Sequence, residues 1–427
     1  MTTLSLRALN RATLERQLLL RPAEMSAHNA VEQLAGLQAQ APFPPYYALW
    51  ARLKAFHPEE LAQLLLDRRV VRIVLMRGTV HLVSAADALA WRPTLQVILE
   101  RDLHTNTLHA KPLKDLDHAE VASAARDLLA GRPHSSPELG AELARRWPQT
   151  ATASLTHLAR AMLPLVQVPP RGVWGKAGQT TYQVLDEWVD APLVTSPDPA
   201  GLISRYLRAF GPASVADVQT WSGLTRLGEV AERMDLRKFR DPGGRELIDL
   251  PDAPRPDEDT PAPVRLLGPF DQMILSFADR TRVITDEHRK RVITQNGLVK
   301  GTLLVDGTVR GFWETKKARK AATLELTPFE KLPKRDLAAL ESEGGRLLTW
   351  AEPDAESHDD RAPRSPEGAP APMETSPRAP SLAAARPHAA ATAGRPARPT
   401  QVDSATRALA ARVRERAPNK HRRQSTL

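Results

Sequence analysis

The chain has 427 residues, a net charge of +9 and no cysteine. Its length exceeds one ordinary domain, and the missing thiols exclude disulfide staples, thiolate zinc sites, iron–sulfur clusters and cysteine nucleophiles. Residues 1–20 alternate polar and apolar side chains around Arg7, Arg11 and Arg16, which is not a secretory signal, and no apolar run reaches the roughly 18 residues of a membrane span. The expectation is a soluble cytoplasmic protein.

The charge is unevenly placed. Residues 361–427 carry 13 Lys and Arg against 4 Asp and Glu, so residues 1–360 hold 46 of each sign and are neutral. The excess therefore says little about the body of the chain. Local asymmetry says more: residues 280–335 contain 14 basic and 6 acidic side chains, and residues 352–360 contain five acids and no Lys or Arg. Such segregation can line a groove for phosphates, or simply solvate helix and strand faces.

In chain order, apolar residues at 6, 9, 14, 18 and 19 predict a helix over 6–20, closed by Pro22. Ser26 reads as the N-cap of a second helix, with Met25 placed to staple it, and Gln38-Ala39-Gln40 falls at that helix's end because Pro42, Pro44 and Pro45 cannot continue it. Short helices follow over 46–55 and 58–67. Val70-Val71-Arg72-Ile73-Val74-Leu75-Met76 then reads as a strand, Arg77-Gly78 as a turn and residues 79–83 as the partner strand. Helices followed by a hairpin make the winged-helix pattern, a helix-turn-helix variant.

A related order recurs. Residues 116–130 are helical, and Ser135-Ser136-Pro137-Glu138 is a capping box opening a helix to Trp147. A helix over 153–162 and a wing from 165–168 and 178–184 complete the unit. Residues 202–210 begin a third pass, in which Ser214 and Asp217 repeat the box and Trp221-Ser222-Gly223-Leu224 turns into a helix reaching Met234. The repeat period is roughly 80 residues, which fits winged helices rather than a solenoid. From Val264 the pattern changes to strands over 264–267, 283–284, 298–305, 309–313 and 322–326. Gln295-Asn296-Gly297 and Asp306-Gly307 are hairpin turns, and a helix over 333–342 closes a small antiparallel sheet or barrel. Beyond Trp350 the composition, rich in Pro, Ala and Arg, predicts disorder, with a basic helical patch over 405–416.

The expected fold class is mainly α with β (α+β): three tandem winged-helix modules over 1–110, 111–195 and 196–260, a small C-terminal antiparallel β-barrel over 261–351, and a disordered basic tail over 352–427. Chemistry is sparsely signalled. The 12 histidines include no His-Glu-x-x-His pair, and His104 and His109 do not share a helix face, so no metal is expected. Neither a phosphate-binding glycine loop nor a Gly-x-Ser-x-Gly elbow is present, and no cofactor is expected. The tryptophans read as core more than as base-stacking platforms.

Two glutamines around an alanine mean little alone. In context, Gly36-Leu37-Gln38-Ala39-Gln40 resembles the Gln-apolar-Gln motif of the AlkZ-like and YcaQ (AlkX)-like winged-helix DNA glycosylases, and Met76-Arg77-Gly78-Thr79-Val80-His81-Leu82-Val83 resembles their hairpin. Trp221-Ser222-Gly223-Leu224, Leu267-Gly268-Pro269-Phe270-Asp271, Asn296-Gly297 and Leu304-Val305-Asp306-Gly307 match in the same order. The resemblance spans about residues 6–348 and leaves out the tail. It implies three winged helices and a β-barrel around DNA, with Gln38 and Gln40 as the catalytic pair. Gln40 stands where the YcaQ-like branch has Asp, which places the chain nearer the AlkZ-like branch.

The implied activity is monofunctional hydrolysis of N-glycosidic bonds in double-stranded DNA carrying N7-alkylated or crosslinked purines, by a monomer associated with the nucleoid. A glutamine amide takes up no proton at neutral pH, but its carbonyl can orient water and its dipole can favour an oxocarbenium ion. That suffices where the leaving base is already cationic and needs no general acid. Arg77, Gly78, Thr79 and His81 are the expected DNA-binding residues, the bland alternative being that Arg77 solvates the turn and His81 packs. The rival class is a non-enzymatic winged-helix DNA-binding protein, a transcription regulator or architectural factor.

Overall fold

Three stretches of the chain follow one order of elements: helix, short strand, two helices, hairpin. In the first, Ala27–Gln33 leads to Leu37–Gln38, then Pro44–Trp50, Pro58–Leu66 and the hairpin Val70–Val74 with Val80–Ser84. In the second, His118–Leu129 leads to His134–Ser135, then Ser136–Arg146, Thr152–Met162 and the hairpin Leu165–Gln167 with Thr181–Val184. The third runs Pro199–Phe210, a bridge residue Ala213, Val215–Ser222, Leu227–Ala231 and the hairpin Arg237–Arg240 with Glu246–Asp249. Each time the short strand pairs antiparallel with the last strand of its own hairpin: Gln38 with His81, His134 with Tyr182, Ala213 with Ile248. The computed structural model describes residues 1–318, 321–355 and 357–361.

Helix starts follow their caps. Ser135 and Glu138 bond reciprocally, as do Ser214 and Asp217, and Ser26 accepts from the Asn29 N–H. These caps satisfy backbone donors that a helix start otherwise leaves open. Met25, by contrast, is exposed and staples nothing.

The first two hairpins join edge to edge. Arg72 pairs with Gln167 and Ile73 with Val166, producing a six-stranded sheet across both stretches. Its central strands are buried on both faces. Val70, Val74, Val80 and Leu82 pack with the first two helix sets, including Leu34, Tyr46, Leu139 and Leu158. The alternate residues Val71, Ile73 and Val83 pack with Trp91, Phe210 and Trp221. Period-two alternation thus feeds two cores at once, which is why residues 70–76 read as a continuous apolar run. Helices Ala85–Thr94 and Gln96–Thr105 cover this second core with Ala88, Trp91 and Ile98.

The N-terminal helix Leu6–Arg16 is tied to the third stretch and to the C-terminal region. Arg16 forms a bidentate buried pair with Asp249 of the third hairpin and donates to Leu207 O at 2.9 Å. Thr2–Thr3 extends that hairpin in parallel. Asn10 donates to the carbonyls of Arg282 and Gly307, both at 2.8 Å. Arg52 pairs bidentately with Asp271, at 2.8 and 2.9 Å, with both side chains buried.

The C-terminal strands form an open sheet rather than the expected barrel. Arg265–Leu267, Gly301–Val305, Thr308–Ala318, Ala321–Pro328 and Ser357–Arg361 lie in that order, and the first and last strands do not pair. Asp306 and Gly307, both at positive φ, make the predicted tight turn. Val283 and Ile284 are not a strand but precede the helix Asp286–Val292. The closing helix runs over Lys334–Ala351, past the expected end at 342, and buries Leu340, Leu347 and Leu348. Part of the stretch expected to be disordered, Ser357–Arg361, is instead a strand of this sheet; the expected tail beyond it, with the patch at 405–416, lies outside the described residues. Among the described residues no helix is long and apolar enough to cross a membrane.

Candidate active site

Gln38 lies on the short strand Leu37–Gln38 and Gln40 just past its end, not at a helix end as expected. The helix Ala27–Gln33 stops because Ala35 and Gly36 turn left-handed, at φ 55 and 82°. Gly36 is required there: a Cβ would sit 2.6 Å from Val83 Cγ1. The chain is thereby laid against the first hairpin, with Leu37 opposite Leu82, Gln38 opposite His81, and the Ala39 N–H bonded to Val80 O at 2.8 Å. Alternation does the rest. Leu37 and Ala39 face the core, while Gln38 is half-buried and Gln40 exposed. The one-residue spacing of the motif is the spacing that puts two side chains on one face of a strand.

Both amides are oriented by groups that can only donate. Arg77 Nη2 donates to Gln38 Oε1 at 2.9 Å, and the Val80 N–H donates to Gln40 Oε1 at 3.1 Å. The oxygen of each amide is fixed by its partner's chemistry, one lone pair of each stays open, and neither Nε2 has a protein partner among the described residues. No Asp or Glu among the described residues bonds to Gln38, Gln40 or Arg77.

The hairpin turn supplies Arg77. It occupies a left-handed conformation at φ 56°, followed by Gly78 at φ 68°, and its Nη1 donates to Trp221 O at 2.6 Å. The Trp221-Ser222-Gly223-Leu224 stretch therefore buttresses the turn, with Gly223 so close that a Cβ would lie 3.4 Å from Arg77 Cα. Burial, with Arg280's charge, lowers the Arg77 guanidinium to about 10, which leaves it cationic at neutral pH. Thr79 is half-buried and its hydroxyl donates to Met76 O at 3.1 Å.

His81 is packed: its exposure is 3%. Its Nδ1 donates to Thr79 O at 3.0 Å, and burial together with Arg77's charge pushes its pKa down to about 3. Because the unfolded value is about 6.5, the unfolded chain binds this proton first, so stability is full above pH 6.5 and falls as pH drops toward 3. This one residue is expected to cost about 1.4 kcal/mol per pH unit in that window. Urea midpoints at pH 7, 6 and 5 test it: His81→Asn should show a shallower pH dependence than wild type, and equal slopes would refute a neutral His81.

One site residue escaped the sequence reading. Arg72, fully buried, reaches across the intervening strand and donates to the carbonyls of Ala39 at 2.9 Å, Pro42 at 3.3 Å and Ala41 at 3.4 Å, and to Gln167 Oε1 at 3.2 Å. It anchors the segment carrying both glutamines. The signal was a lone charge inside an apolar strand. Behind this segment Tyr46 donates to Gly172 O at 2.7 Å and accepts from the Trp174 N–H at 3.1 Å, within a cluster containing Phe43, Tyr47 and Trp350.

Several bases between residues 280 and 335 are structural. Arg282 is buried and donates to Pro212 O at 2.7 Å, while Arg291 and Lys300 lie over the rings of Phe329 and Phe312. Trp91, Trp221 and Trp313 are buried, as a core reading expects. Among the described residues no group of three or more His, Asp or Glu side chains is arranged to hold a metal ion.

Residues 31–350 match the family described as DNA glycosylase AlkZ-like. The chain belongs to the AlkZ-like DNA glycosylase family. It is 25% identical over 362 residues to a Streptomyces sahachiroi protein described as an interstrand DNA cross-link repair glycosylase, covering 78% of this chain and 93% of the relative. The solved structure of the DNA glycosylase AlkZ from that organism superposes with a TM-score of 0.70 at 21% identity, covering 84% of this chain and 100% of the other; this likeness shows a shared mixed α and β fold. AlkZ-like membership decides between the two classes left open by the sequence: the protein is a DNA glycosylase, a hydrolase of N-glycosyl bonds, and its substrate is DNA.

Proposed function

We propose that this AlkZ-like chain hydrolyses the N-glycosidic bond of N7-alkylated purines in duplex DNA, bulky adducts and interstrand crosslinks included, with Gln38 and Gln40 as its catalytic residues. It does so as a monomer acting on nucleoid DNA in the cytoplasm. In this reading the three repeated stretches are tandem winged-helix modules, with boundaries near residues 110, 195 and 260, and Arg77, Gly78 and Thr79 at the hairpin turn meet DNA. His81 serves the same hairpin from beneath, fixing Thr79 and backing Gln38.

The observation that carries the reading is that two amides on one segment beside the hairpin have their oxygens pinned and their nitrogens free. With N7 alkylated, the base leaves as a neutral species when the C1′–N9 bond breaks, so no group on the protein need protonate it. The sugar becomes an oxocarbenium ion, water adds at C1′, and its proton passes to solvent. The Gln40 oxygen, held by a neutral backbone N–H, keeps a lone pair for that water. The Gln38 oxygen is turned toward a cation, so it offers less to a developing positive charge, and its Nε2 is the group left to hold the substrate.

The test is incubation of the protein with duplex DNA containing N7-methylguanine or an N7-linked crosslink, followed by heat or alkali to reveal abasic sites. Base release supports the assignment. Tight binding at stoichiometric protein without release from either substrate removes it.

A further inference from the structure

Arg77 also stands in the wall of a pocket that the glutamines do not use. This pocket of about 350 Å³ is lined by Arg77 and Gly78, by the helix Gln96–Thr105 and the turn after it, and by the helix Thr152–Met162. Three arginines, Arg77, Arg101 and Arg160, face it against a single carboxylate, Asp102. Neither Arg101 nor Arg160 has a carboxylate partner among the described residues; Arg160 Nη2 instead donates to His157 Nδ1 at 3.2 Å.

That bond fixes the His157 tautomer. Its Nδ1 is an acceptor, so its proton sits on Nε2. Burial and the Arg160 charge hold its pKa at about 4, and the ring is neutral. The buried Nε2 lies 3.0 Å from Asp102 Oδ2, so the carboxylate in this wall is already engaged by the imidazole. With Asp102 so engaged, Arg101 and Arg160 line the cavity with no carboxylate of their own among the described residues. His109, stacked on His157 at 4.3 Å between ring centres, is held in turn by Ser154 Oγ at 3.0 Å.

We propose that this pocket is a phosphodiester subsite, taking a backbone phosphate of the DNA strand beside the glutamines on Arg101 and Arg160. The chemistry matches: guanidinium forks suit the non-bridging oxygens of a phosphate, the His157 ring holds Arg160 in place through its Nδ1, and the volume admits the adjoining sugar. The cationic character also continues along the chain. A second pocket of about 410 Å³ is lined by His104, Lys111, Lys114 and His118, and neither lysine has an ion-pair partner among the described residues. Repeated anionic charges along one strand fit such a strip better than a single small anion does. The proposal rests on the DNA glycosylase reading for the source of the phosphate, but its test does not require base release.

Affinity for undamaged duplex, measured by fluorescence anisotropy between about 50 and 200 mM salt, reads the subsite directly. Arg101→Ala and Arg160→Ala should each weaken binding by about three- to tenfold at low salt and flatten the slope of log K against log salt by about one, with the double variant losing about two. Arg101→Lys and Arg160→Lys should restore the slope, a result a purely structural role would not give. Inorganic phosphate at matched ionic strength should compete with duplex for wild type but not for the double variant. Competition that persists in the double variant places phosphate elsewhere and counts against the pocket. Weaker binding with an unchanged slope, or unchanged binding, overturns the proposal. If the double variant binds like wild type while Gln38→Ala abolishes base release, the subsite falls and the chemistry stands. If wild type releases no base yet the slopes change as described, the chemistry falls and the subsite stands.

Discussion

Gln38→Ala and Gln40→Ala are each expected to slow base release from N7-methylguanine DNA by about 10²–10³-fold under single-turnover conditions, with affinity for duplex largely retained. The magnitude is that of removing one preorganised polar group aimed at charge developing in a transition state. The two positions should not respond alike to a carboxylate. Gln38→Glu places a carboxylate against Arg77, 2.9 Å from the present amide oxygen, and the resulting ion pair would consume the arginine and delete the free Nε2 donor. Activity should fall nearly as far as with alanine. Gln40→Glu keeps an acceptor for the Val80 N–H and leaves further lone pairs for water, so it should retain most of the rate. If Gln38→Glu is as active as wild type, Gln38 acts through its carbonyl and the division of labour between the two amides is wrong. If both alanine variants release base normally, the pairing of the two amides has no catalytic meaning.

What could be read from the sequence was whatever local chemistry decides. The two capping boxes, the Asp306-Gly307 turn and the Val70–Val74 strand with its partner were legible because a few adjacent residues fix each of them. The glutamine motif was recognised but misplaced. Nothing in Ala35-Gly36 announces two consecutive left-handed residues, and a paired strand of two residues, Leu37–Gln38, is too short for periodicity to register. The meeting of the first two hairpins through Ile73 and Val166 joins residues more than ninety apart, which no local pattern encodes. Closure of the C-terminal sheet was misjudged for the same reason: tight turns give the strand order but not whether the outer edges meet. Charge misled most. Arg16, Arg52, Arg72 and Arg282 count as surface polarity in any composition, yet each is buried against carbonyls or carboxylates. Within residues 1–360, balanced in charge overall, cations therefore serve architecture at some positions and are left without acidic partners at others, as at Arg101.

Arg72→Leu should be the most destabilising single change at the site, by about 3–5 kcal/mol in urea unfolding. The side chain has no exposure. Its removal leaves the Ala39, Ala41 and Pro42 carbonyls without their donor, and unpaired buried polar groups cost about 1–3 kcal/mol each, less than additively when they share one partner. Base release should fall in the surviving folded protein, because the glutamine strand then hangs from its pairing with residues 80–82 alone. Gly172 tells this cause apart from general loss of packing. It holds φ 91°, and a Cβ there would lie 2.6 Å from Arg72 Cδ and 3.2 Å from its Nε. Gly172→Ala in the wild-type background must meet both the left-handed backbone cost, about 1–2 kcal/mol, and that clash. With Arg72→Leu already in place the long side chain is gone and only the backbone cost remains. A double-mutant cycle should accordingly return a coupling of about 1 kcal/mol. Strict additivity would mean that Arg72 is free to move aside, and a side chain that free could not hold Gln38 and Gln40 in register with the hairpin.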